Sequence, residues 1–542
     1  MGLLKKLKKN GGKSSLVNKD SASHQKSEMK KLVSEVSNLG ACEEKHPGNI
    51  CIGVAGVDAV LYNGIPKKHL VLVAGNAGTG KTVFGLQTAN YHASNGKKVF
   101  YMSFEESEEQ LISHMKGFGW NPEELIKKGN LMIKQDSPYD VARKVDILLA
   151  KEKKELHANI KPMILPDGFK PDIFIIDSLT ALAAAFESQT SGLYRLYLDR
   201  LYRFLKEQSC TCFLISESTG SEKNLSQTGI DEFVVDAVFG LYYNSGEQQT
   251  IRTFNVVKVR GTDYRSGKVN FDITSEGIVV YPKIPIDRKI SKTEFKNRVS
   301  TGISELDKML QGGYPEGHMI MLSGNTGSGK TTTSMQFLLK GLEKGEKVIY
   351  INLEEPTSQI LKTSEEHGWD LQKYEKEGRL KFITPDLIDI YPDRILYQIL
   401  HEVQKSNSTR VVIDSISSII SAGVNRDQLR EFLLQLTGYF KTKGITCIMT
   451  YLNEDIFGGT AANTLAGGAS SELRLSSVVD CIILLRYLER KNSIFKILNI
   501  LKLRGSGHDK SIREFEITKE GVQIGERILS VNKISSKKRK KN

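Results

Sequence analysis

The sequence predicts an α/β fold of two tandem domains, each with a mostly parallel central sheet flanked by helices. The first observation is a duplicated glycine-rich motif, GNAGTGKT at 75–82 and GNTGSGKT at 324–331. The second is that an apolar run precedes each motif and a helical pattern follows it. The third is that both halves continue, in the same order, with an acid pair, an apolar run ending in aspartate, and a basic segment. Alternating strand and helix patterns of this kind are typical of parallel sheets covered by helices.

The duplicated motif predicts nucleotide binding. Each copy fits G-x-x-x-x-G-K-[ST], a loop whose backbone amides cradle phosphate while its lysine reaches the β/γ-phosphates and its hydroxyl binds Mg²⁺. The strand–loop–helix order around both copies is the order that this mechanism requires. The predicted nucleotide-binding residues are Gly75, Asn76, Ala77, Gly78, Thr79, Gly80, Lys81, Thr82, Gly324, Asn325, Thr326, Gly327, Ser328, Gly329, Lys330 and Thr331.

Composition indicates an ordinary globular protein, with 542 residues of which 39% are hydrophobic and 26% charged. No apolar run approaches the roughly 20 residues of a membrane span, and the first residues do not fit a signal peptide. Six cysteines without paired C-x-x-C spacing predict a reduced chain in the cytoplasm. The net charge of +13 is carried by residues 1–31 and 533–542, which we expect to be disordered solvating tails able to contact nucleic acid or an anionic surface.

The next predicted strand of each half ends in an acid pair. Glu105 with Glu106, and Glu354 with Glu355, are separated by the same 249 residues as the two motif lysines. Carboxylates are ionised at neutral pH and can accept a proton beside a phosphate. Because neighbouring strand residues face opposite sides, we expect one glutamate of each pair to face the phosphate.

Two further features recur in each half. An apolar run ends at Asp177 in the first half and at Asp414 in the second, and the carboxyl end of a parallel strand is where open α/β sheets bind ligands. An aspartate there is the Mg²⁺-supporting acid of enzymes with this loop. Each half then closes with a K-x-R-G segment, at 258–261 and 502–505, whose alternation puts both cations on one face of a strand. A solvated basic edge would show the same pattern, but its recurrence favours phosphate contact.

These ordered features resemble the double-lobed KaiC ATPases of the RecA-like superfamily. The likeness spans about residues 50–525 and is most specific in RVSTGISELDKMLQGGY at 298–314 and LKLRGSGHDKSIREFEI at 501–517. The resemblance implies two tandem RecA-like P-loop NTPase domains with ATP and Mg²⁺ as cofactors. It also implies that the acid pairs activate an attacking water or hydroxyl. The metal would be supported by Thr82, Asp177, Thr331 and Asp414.

Family members form a hexameric ring with ATP at the joints between subunits, and the resemblance implies a stacked double ring here. The K-x-R segments would then contact the nucleotide of the adjacent subunit. The implied contacts are Lys258, Arg260, Thr262, Lys502, Arg504, Ser506 and His508. The two halves differ at one of these positions: the second half has His508 where the first half has Tyr264.

A serine pair occupies the place of the family's phosphoacceptors. In the clock members of the family, an adjacent Ser-Thr pair of the second lobe is phosphorylated just before the phrase that reads VVDCIILLRY here. This chain has Ser476 and Ser477 at that place. The resemblance therefore implies autophosphorylation, whereas polar residues in an ordinary loop would look the same.

The predicted organisation has five parts: a basic tail at 1–45, a first ATPase domain at 46–282, a linker at 283–297, a second ATPase/autokinase domain at 298–526, and a basic tail at 527–542.

Three functions remain open. The first is a regulatory ATPase that phosphorylates its own serines and signals to protein partners. The second is the same ATPase switch without kinase activity, and the third is a RecA-type DNA-handling ATPase that uses the basic tails.

Overall fold

In the computed structural model of the chain, the described residues are 30, 33, 34, 36, 48–62, 64–143, 168–187, 193–218, 234–245, 250–284, 297–385, 391–453, 477–490 and 493–528. They divide between two compact units, Met1–Pro282 and Lys283–Asn542. Most of both predicted tails and most of the predicted linker lie outside the described residues; the second tail is described only at 527–528, where the last strand continues one residue beyond the predicted domain boundary.

The first unit contains a nine-stranded sheet and a small two-stranded one. Its strands are β1 Asn49–Ile50, β2 Ile65–Pro66, β3 Leu70–Gly75, β4 Val99–Ser103, β5 Leu131–Gln135, β6 Ile173–Asp177, β7 Thr211–Glu217, β8 Ala237–Ser245, β9 Thr250–Val259, β10 Val269–Thr274 and β11 Gly277–Val280. Its helices are α1 Val57–Val60, α2 Lys81–Ser94, α3 Glu108–Gly117, α4 Pro122–Lys127, α5 Leu179–Glu187 and α6 Leu193–Glu207. The large sheet has the order β11-β10-β9-β8-β3-β7-β6-β4-β5.

The second unit repeats this plan. Its strands are β12 Arg298–Val299, β13 Tyr314–Pro315, β14 Met319–Gly324, β15 Val348–Asn352, β16 Leu380–Ile383, β17 Arg410–Asp414, β18 Thr446–Leu452, β19 Cys481–Arg490, β20 Ser493–Leu503, β21 Arg513–Thr518 and β22 Gly521–Arg527. Its helices are α7 Ser304–Met309, α8 Lys330–Glu343, α9 Thr357–Glu366, α10 Leu371–Lys376, α11 Pro392–Ser406, α12 Ile416–Ser421 and α13 Arg426–Lys443. Its large sheet has the order β16-β15-β17-β18-β14-β19-β20-β21-β22.

Six strands of each large sheet are parallel, and the last three continue it as an antiparallel extension. In the first unit, β3 pairs in parallel with β7 and β8, whereas β8 pairs with β9 in the antiparallel direction. All six residues of β3 and of β14 are buried, because helices cover both faces of a parallel sheet. Each unit has two apolar clusters among its described residues. The predicted fold class is confirmed, with an antiparallel extension that the sequence analysis did not anticipate.

The turn from β3 into α2 requires glycine, and so does its counterpart in the second unit. Gly80 has φ +94° and Gly329 has φ +98°, backbone conformations that other residues rarely adopt. A Cβ on Gly80 would lie 2.8 Å from Cδ1 of Ile273, and one on Gly329 would lie 2.8 Å from Cδ1 of Ile517. The loop therefore packs directly against the antiparallel extension, and a side chain at either position would displace it.

Two further observations bear on the predicted location. Cys51 is disulfide-bonded, whereas Cys210, Cys212, Cys447 and Cys481 are buried free thiols. The prediction of a fully reduced chain was therefore wrong at Cys51, because pairing depends on which residues the fold brings together. Within the part of the chain that the structure describes, none of the helices combines the length and the apolar character of a membrane span.

We expect the second unit to lose stability in mild acid through His318. This residue is 1% exposed, and burial lowers its pKa from 6.5 to about 4, against the opposing charge of Asp480. The stabilising effect of the neutral ring is present above pH 6.5 and is lost as the pH falls toward 4, because the unfolded chain binds the proton more readily. The loss should approach about 3 kcal/mol in the free energy of unfolding.

Denaturant unfolding of the His318→Gln variant at pH 7 and pH 5 measures this contribution. The variant should show a smaller loss of stability on acidification than the wild type. His367→Gln, at a partly exposed position of the same unit, is the control. Equal acid sensitivity of His318→Gln and wild type would contradict the assignment.

Candidate nucleotide sites

Both glycine-rich loops lie at the carboxyl end of the central strand of their sheet. Lys81 begins α2, and its Nζ donates to the carbonyl oxygen of Asn76 at 2.9 Å. Lys330 begins α8, and its Nζ donates to the carbonyl oxygens of Gly324 and Asn325, each at 2.9 Å. Burial lowers the pKa of both lysines. Each ammonium is thus folded back onto its own loop, where it would meet a bound phosphate.

Asp177 and Asp414 end β6 and β17, two strands away from the loop-bearing strand. In the second unit, Thr331 Oγ1 and the Tyr350 hydroxyl donate to Asp414 Oδ2 at 2.8 and 2.7 Å. In the first unit, the Tyr101 hydroxyl donates to Asp177 Oδ2 at 2.7 Å. Burial raises the pKa of Asp177 to about 6, against hydrogen bonds from Tyr101 and Thr82.

These hydroxyl and carboxylate groups fit the requirements of Mg²⁺. The ion prefers hard oxygen ligands and is usually held by one or two protein groups together with water and substrate phosphates. Thr82 with Asp177, and Thr331 with Asp414, provide such oxygens beside each loop. Among the described residues there is no cluster of three or more histidine, cysteine, aspartate or glutamate side chains that would hold a metal without a nucleotide.

The acid pairs lie just beyond their strands, because β4 ends at Ser103 and β15 at Asn352. Strand alternation was expected to point the two glutamates of each pair to opposite sides. That reason was wrong, because neither pair lies within its strand. In the first unit, the Ser178 hydroxyl donates to Glu105 Oε1, whereas Glu106 Oε2 lies 3.1 Å from His114 Nδ1. The different partners, rather than a strand pleat, distinguish the two carboxylates.

Electrostatics single out the first glutamate of each pair. The negative charge of Glu105 raises the pKa of Lys81, and that of Glu354 raises the pKa of Lys330, both against the larger effect of burial. In the second unit, burial and the charges of Asp414 and Glu354 raise the pKa of Glu355. Glu105 and Glu354 therefore each act electrostatically on the loop lysine of their unit.

The K-x-R segments lie at the opposite end of each sheet from the loop of the same unit. Lys258 Nζ donates to the carbonyl oxygen of Val235 at 2.8 Å, and Lys502 Nζ to that of Val479 at 2.7 Å. The backbone amide of Arg260 donates to the carbonyl oxygen of Asp236, and that of Arg504 donates to the carbonyl oxygen of Asp480, both at 2.9 Å.

Those aspartates lie beside the first residue of the central strand. The glycine-rich loop leaves the other end of that strand, about 17 Å away, because five residue steps of extended chain separate the two ends. Asp236 Oδ2 accepts from the amide of Leu70 at 3.1 Å, and Asp480 Oδ2 from that of Met319 at 3.1 Å. Arg260 and Arg504 have side chains that are 54% and 46% exposed. Both guanidinium groups are thus accessible, and they are remote from the nucleotide loop of their own unit.

Sequence reasoning missed the aspartates that anchor this end of the sheet. Asp480 Oδ1 lies 2.6 Å from Lys441 Nζ and 3.7 Å from Arg504 Nη1. In the first unit, Asp236 Oδ1 lies 3.6 Å from both Lys206 Nζ and Arg260 Nη1. The signal was present as a repeated V-V-D, at 234–236 and 478–480. An aspartate before a strand is common, and only the pairing of strands shows that it meets the K-x-R arginine.

The remaining predicted residues have varied settings. Ser506 Oγ accepts from Arg298 Nη2 at 2.6 Å, so it is engaged within its own unit. Thr262 and His508 are partly exposed, and the Tyr264 hydroxyl donates to the carbonyl oxygen of Val257 at 3.1 Å.

Of the two predicted phosphoacceptors, only one falls in the part of the chain that the structure describes. Ser477 is exposed, and its carbonyl oxygen accepts from Arg504 Nη2 at 2.7 Å. Ser476 lies outside the described residues.

Comparison with known proteins agrees with this geometry. A family model described as "ATPase: KaiC" matches twice, at residues 50–284 and 299–528. The "Circadian clock oscillator protein KaiC" of Parathermosynechococcus lividus is 31% identical over 494 residues, which cover 89% of this chain and 86% of that protein. The "Circadian clock protein KaiC3" of Synechocystis sp. is 30% identical over 485 residues, covering 89% and 92%. With two matched ATPase domains that together span most of its length, the chain belongs to the KaiC family.

Proposed function

We propose that both units bind Mg-ATP and hydrolyse it, and that the protein acts as a regulatory ATPase. The observation that carries this proposal is the same in each unit. A loop lysine, a threonine hydroxyl, an aspartate and a glutamate converge at the carboxyl edge of one parallel sheet. Ligands of open α/β sheets bind at this edge. Membership of an ATPase family supports the same assignment.

In this proposal the two loops, residues 75–82 and 324–331, hold the phosphates through their amides, and Lys81 and Lys330 turn from their own carbonyl oxygens to the β/γ-phosphates. Thr82 with Asp177, and Thr331 with Asp414, support Mg²⁺. The ion, when bound, neutralises charge on the phosphate oxygens.

Glu105 and Glu354 are proposed as the bases that accept the proton of the attacking water. Each acts electrostatically on the lysine that reaches the terminal phosphates, which supports placement beside the reacting group. The Ser178 hydroxyl orients Glu105 by hydrogen bonding. Glu106 and Glu355 complete the pairs. Glu106 lies beside His114, and burial with the charges of Asp414 and Glu354 raises the pKa of Glu355.

The cations of the K-x-R segments are proposed to act on a neighbouring subunit. Arg260 and Arg504 are exposed, and they lie at the end of the sheet that is remote from their own loop. A head-to-tail ring, the stacked double hexamer of the family resemblance, would bring this end against the loop end of the next chain. A cation supplied in this way can stabilise charge in the transition state.

In the second unit, the same site is proposed to phosphorylate Ser476 or Ser477. Glu354 would accept the proton of the serine hydroxyl as its oxygen attacks the γ-phosphorus, and ADP would leave. Support comes from the exposed position of Ser477 and from its carbonyl contact with Arg504, a proposed trans residue. The alternative is an ATPase switch without phosphotransfer. Signalling to protein partners would follow from either form.

A chain carrying Glu105→Gln and Glu354→Gln tests the bases and the phosphotransfer together. Incubated with Mg-ATP, the wild type should accumulate ADP and carry phosphate on Ser476 or Ser477. The variant should still bind ATP but lose at least about 100-fold in turnover, because a general base supplies about that much, and it should lose the phosphate. Chromatography of nucleotides and peptide mass spectrometry measure the two outcomes.

Glu123→Gln with Glu343→Gln is the matched control, since both acids pair with surface lysines. Full hydrolysis in the double Glu105/Glu354 variant would refute the assigned bases. ADP without phosphoserine in the wild type would favour the switch and exclude the autokinase.

Complementation between two inactive chains tests the contribution from a neighbour. Both chains carry Glu105→Gln to silence hydrolysis in the first unit; one also carries Arg504→Ala and the other Lys330→Ala. Each alone should hydrolyse ATP very slowly, because a trans arginine is worth roughly 10³-fold or more. Co-assembled, they should recover activity, because the Lys330→Ala chain still supplies Arg504 to its neighbour.

Lys510→Ala in place of Arg504→Ala is the control, because Lys510 is an exposed cation of the same segment outside the K-x-R pair. Normal turnover of the Arg504→Ala chain by itself would contradict the trans role. A loss of activity without recovery on co-assembly would place the arginine's action within its own subunit.

A further inference from the structure

The two units differ at one position beside the nucleotide loop, where the first unit has a carboxylate and the second has an apolar side chain. Glu217 ends β7 and pairs with Gly75, whereas Leu452 ends β18 and pairs with Gly324. The backbone is anchored alike in the two units. The amide of Glu217 donates to Thr180 Oγ1 at 2.7 Å, and the amide of Leu452 to Ser417 Oγ at 2.7 Å. The two units therefore differ here in the side chain and its charge.

Glu217 acts directly on the loop lysine. Its Oε1 lies 3.8 Å from Lys81 Nζ, and its side chain is 39% exposed whereas that of Lys81 is 10% exposed. Burial lowers the pKa of Lys81, and Glu217 provides the largest opposing charge, ahead of Asp177 and Glu105. Among the described residues of the second unit, the charges that raise the pKa of Lys330 against the effect of burial are those of Asp414 and Glu354.

We infer that Glu217 is a determinant of nucleotide affinity that distinguishes the first site from the second. This inference rests on the proposed function, since it concerns the nucleotide that Lys81 would bind. Without nucleotide, Glu217 is a counter-ion that holds Lys81. When a triphosphate binds, Lys81 exchanges this carboxylate for phosphate, and the negative charge of Glu217 remains close to the terminal phosphates.

The consequence is selective weakening of triphosphate binding in the first unit. Two negative charges a few ångströms apart repel each other appreciably in a partly solvated site, and salt screens the repulsion. The repulsion is greater for ATP than for ADP, because the γ-phosphate adds charge close to Lys81. Glu217 therefore shifts the first site toward ADP, whereas the second site, with leucine at this position, favours ATP more strongly.

Reciprocal exchange of charge tests the inference in the full-length chain. A fluorescent ATP analogue and the matching ADP analogue are titrated into chains carrying Lys330→Ala, which leaves the first site to be measured. Adding Glu217→Gln should tighten ATP binding roughly 10-fold and ADP binding less. The gain should shrink at high salt. Conversely, Leu452→Glu in a chain carrying Lys81→Ala should weaken ATP binding at the second site.

Glu123→Gln is the control, because it removes a negative charge from a surface ion pair of the same unit. Unchanged or weaker ATP binding by the Glu217→Gln chain, or an equal change for ATP and ADP, would overturn the inference while leaving the proposed function intact. The absence of saturable ATP binding in the wild-type chain would overturn the proposed function, and the role of Glu217 with it.

Discussion

Each nucleotide site depends on the parallel pairing of one buried strand with a neighbour on either side. In the first unit, β3 lies between β7 and β8, and the second unit repeats the arrangement with β14 between β18 and β19. This pairing fixes where the chain leaves the sheet and enters the helix that starts at Lys81 or Lys330. The glycine before each lysine then makes the turn possible, since it adopts a positive φ and packs against the antiparallel extension.

The two ends of that strand have different chemistry. At its carboxyl end lie the loop, the aspartate and the acid pair, whereas at its amino end Asp236 or Asp480 accepts the first amide and lies beside an exposed arginine. An anion site and a cationic surface at opposite ends of one rigid element suit head-to-tail assembly. In the proposed ring, assembly would complete each site and would thereby couple catalysis to assembly.

Sequence predicted the features that local chemistry dictates. The loop residues, Asp177 and Asp414 follow from motif and strand position, and the duplicated order predicted two similar domains. Other features depend on register and could not be read from the sequence. Glu105 and Glu106 are neighbours in the chain, yet Glu106 lies beside His114 in the helix that follows directly, whereas Glu105 contacts Ser178, which the pairing of β6 with β4 brings close.

Glu217 shows the same limitation most clearly. In the sequence it is one acid at the end of an apolar run, and its distance from Lys81 follows only from the pairing of β7 with β3. Asp236 and Asp480 were overlooked for the same reason, although V-V-D recurs in both halves. Repetition identified the chemistry that the units share, whereas the difference between Glu217 and Leu452 became visible only at matched positions of the two sheets.

The central claim is that both units hold nucleotide, and the number of nucleotides bound per chain tests it most directly. The full-length protein would be saturated with Mg-ATP, separated from free nucleotide and denatured, and the released ATP and ADP would be quantified against protein concentration. The account predicts two nucleotides per chain, falling to one when either Lys81→Ala or Lys330→Ala is introduced. One nucleotide per wild-type chain, lost completely in one of these variants and unaffected by the other, would contradict it.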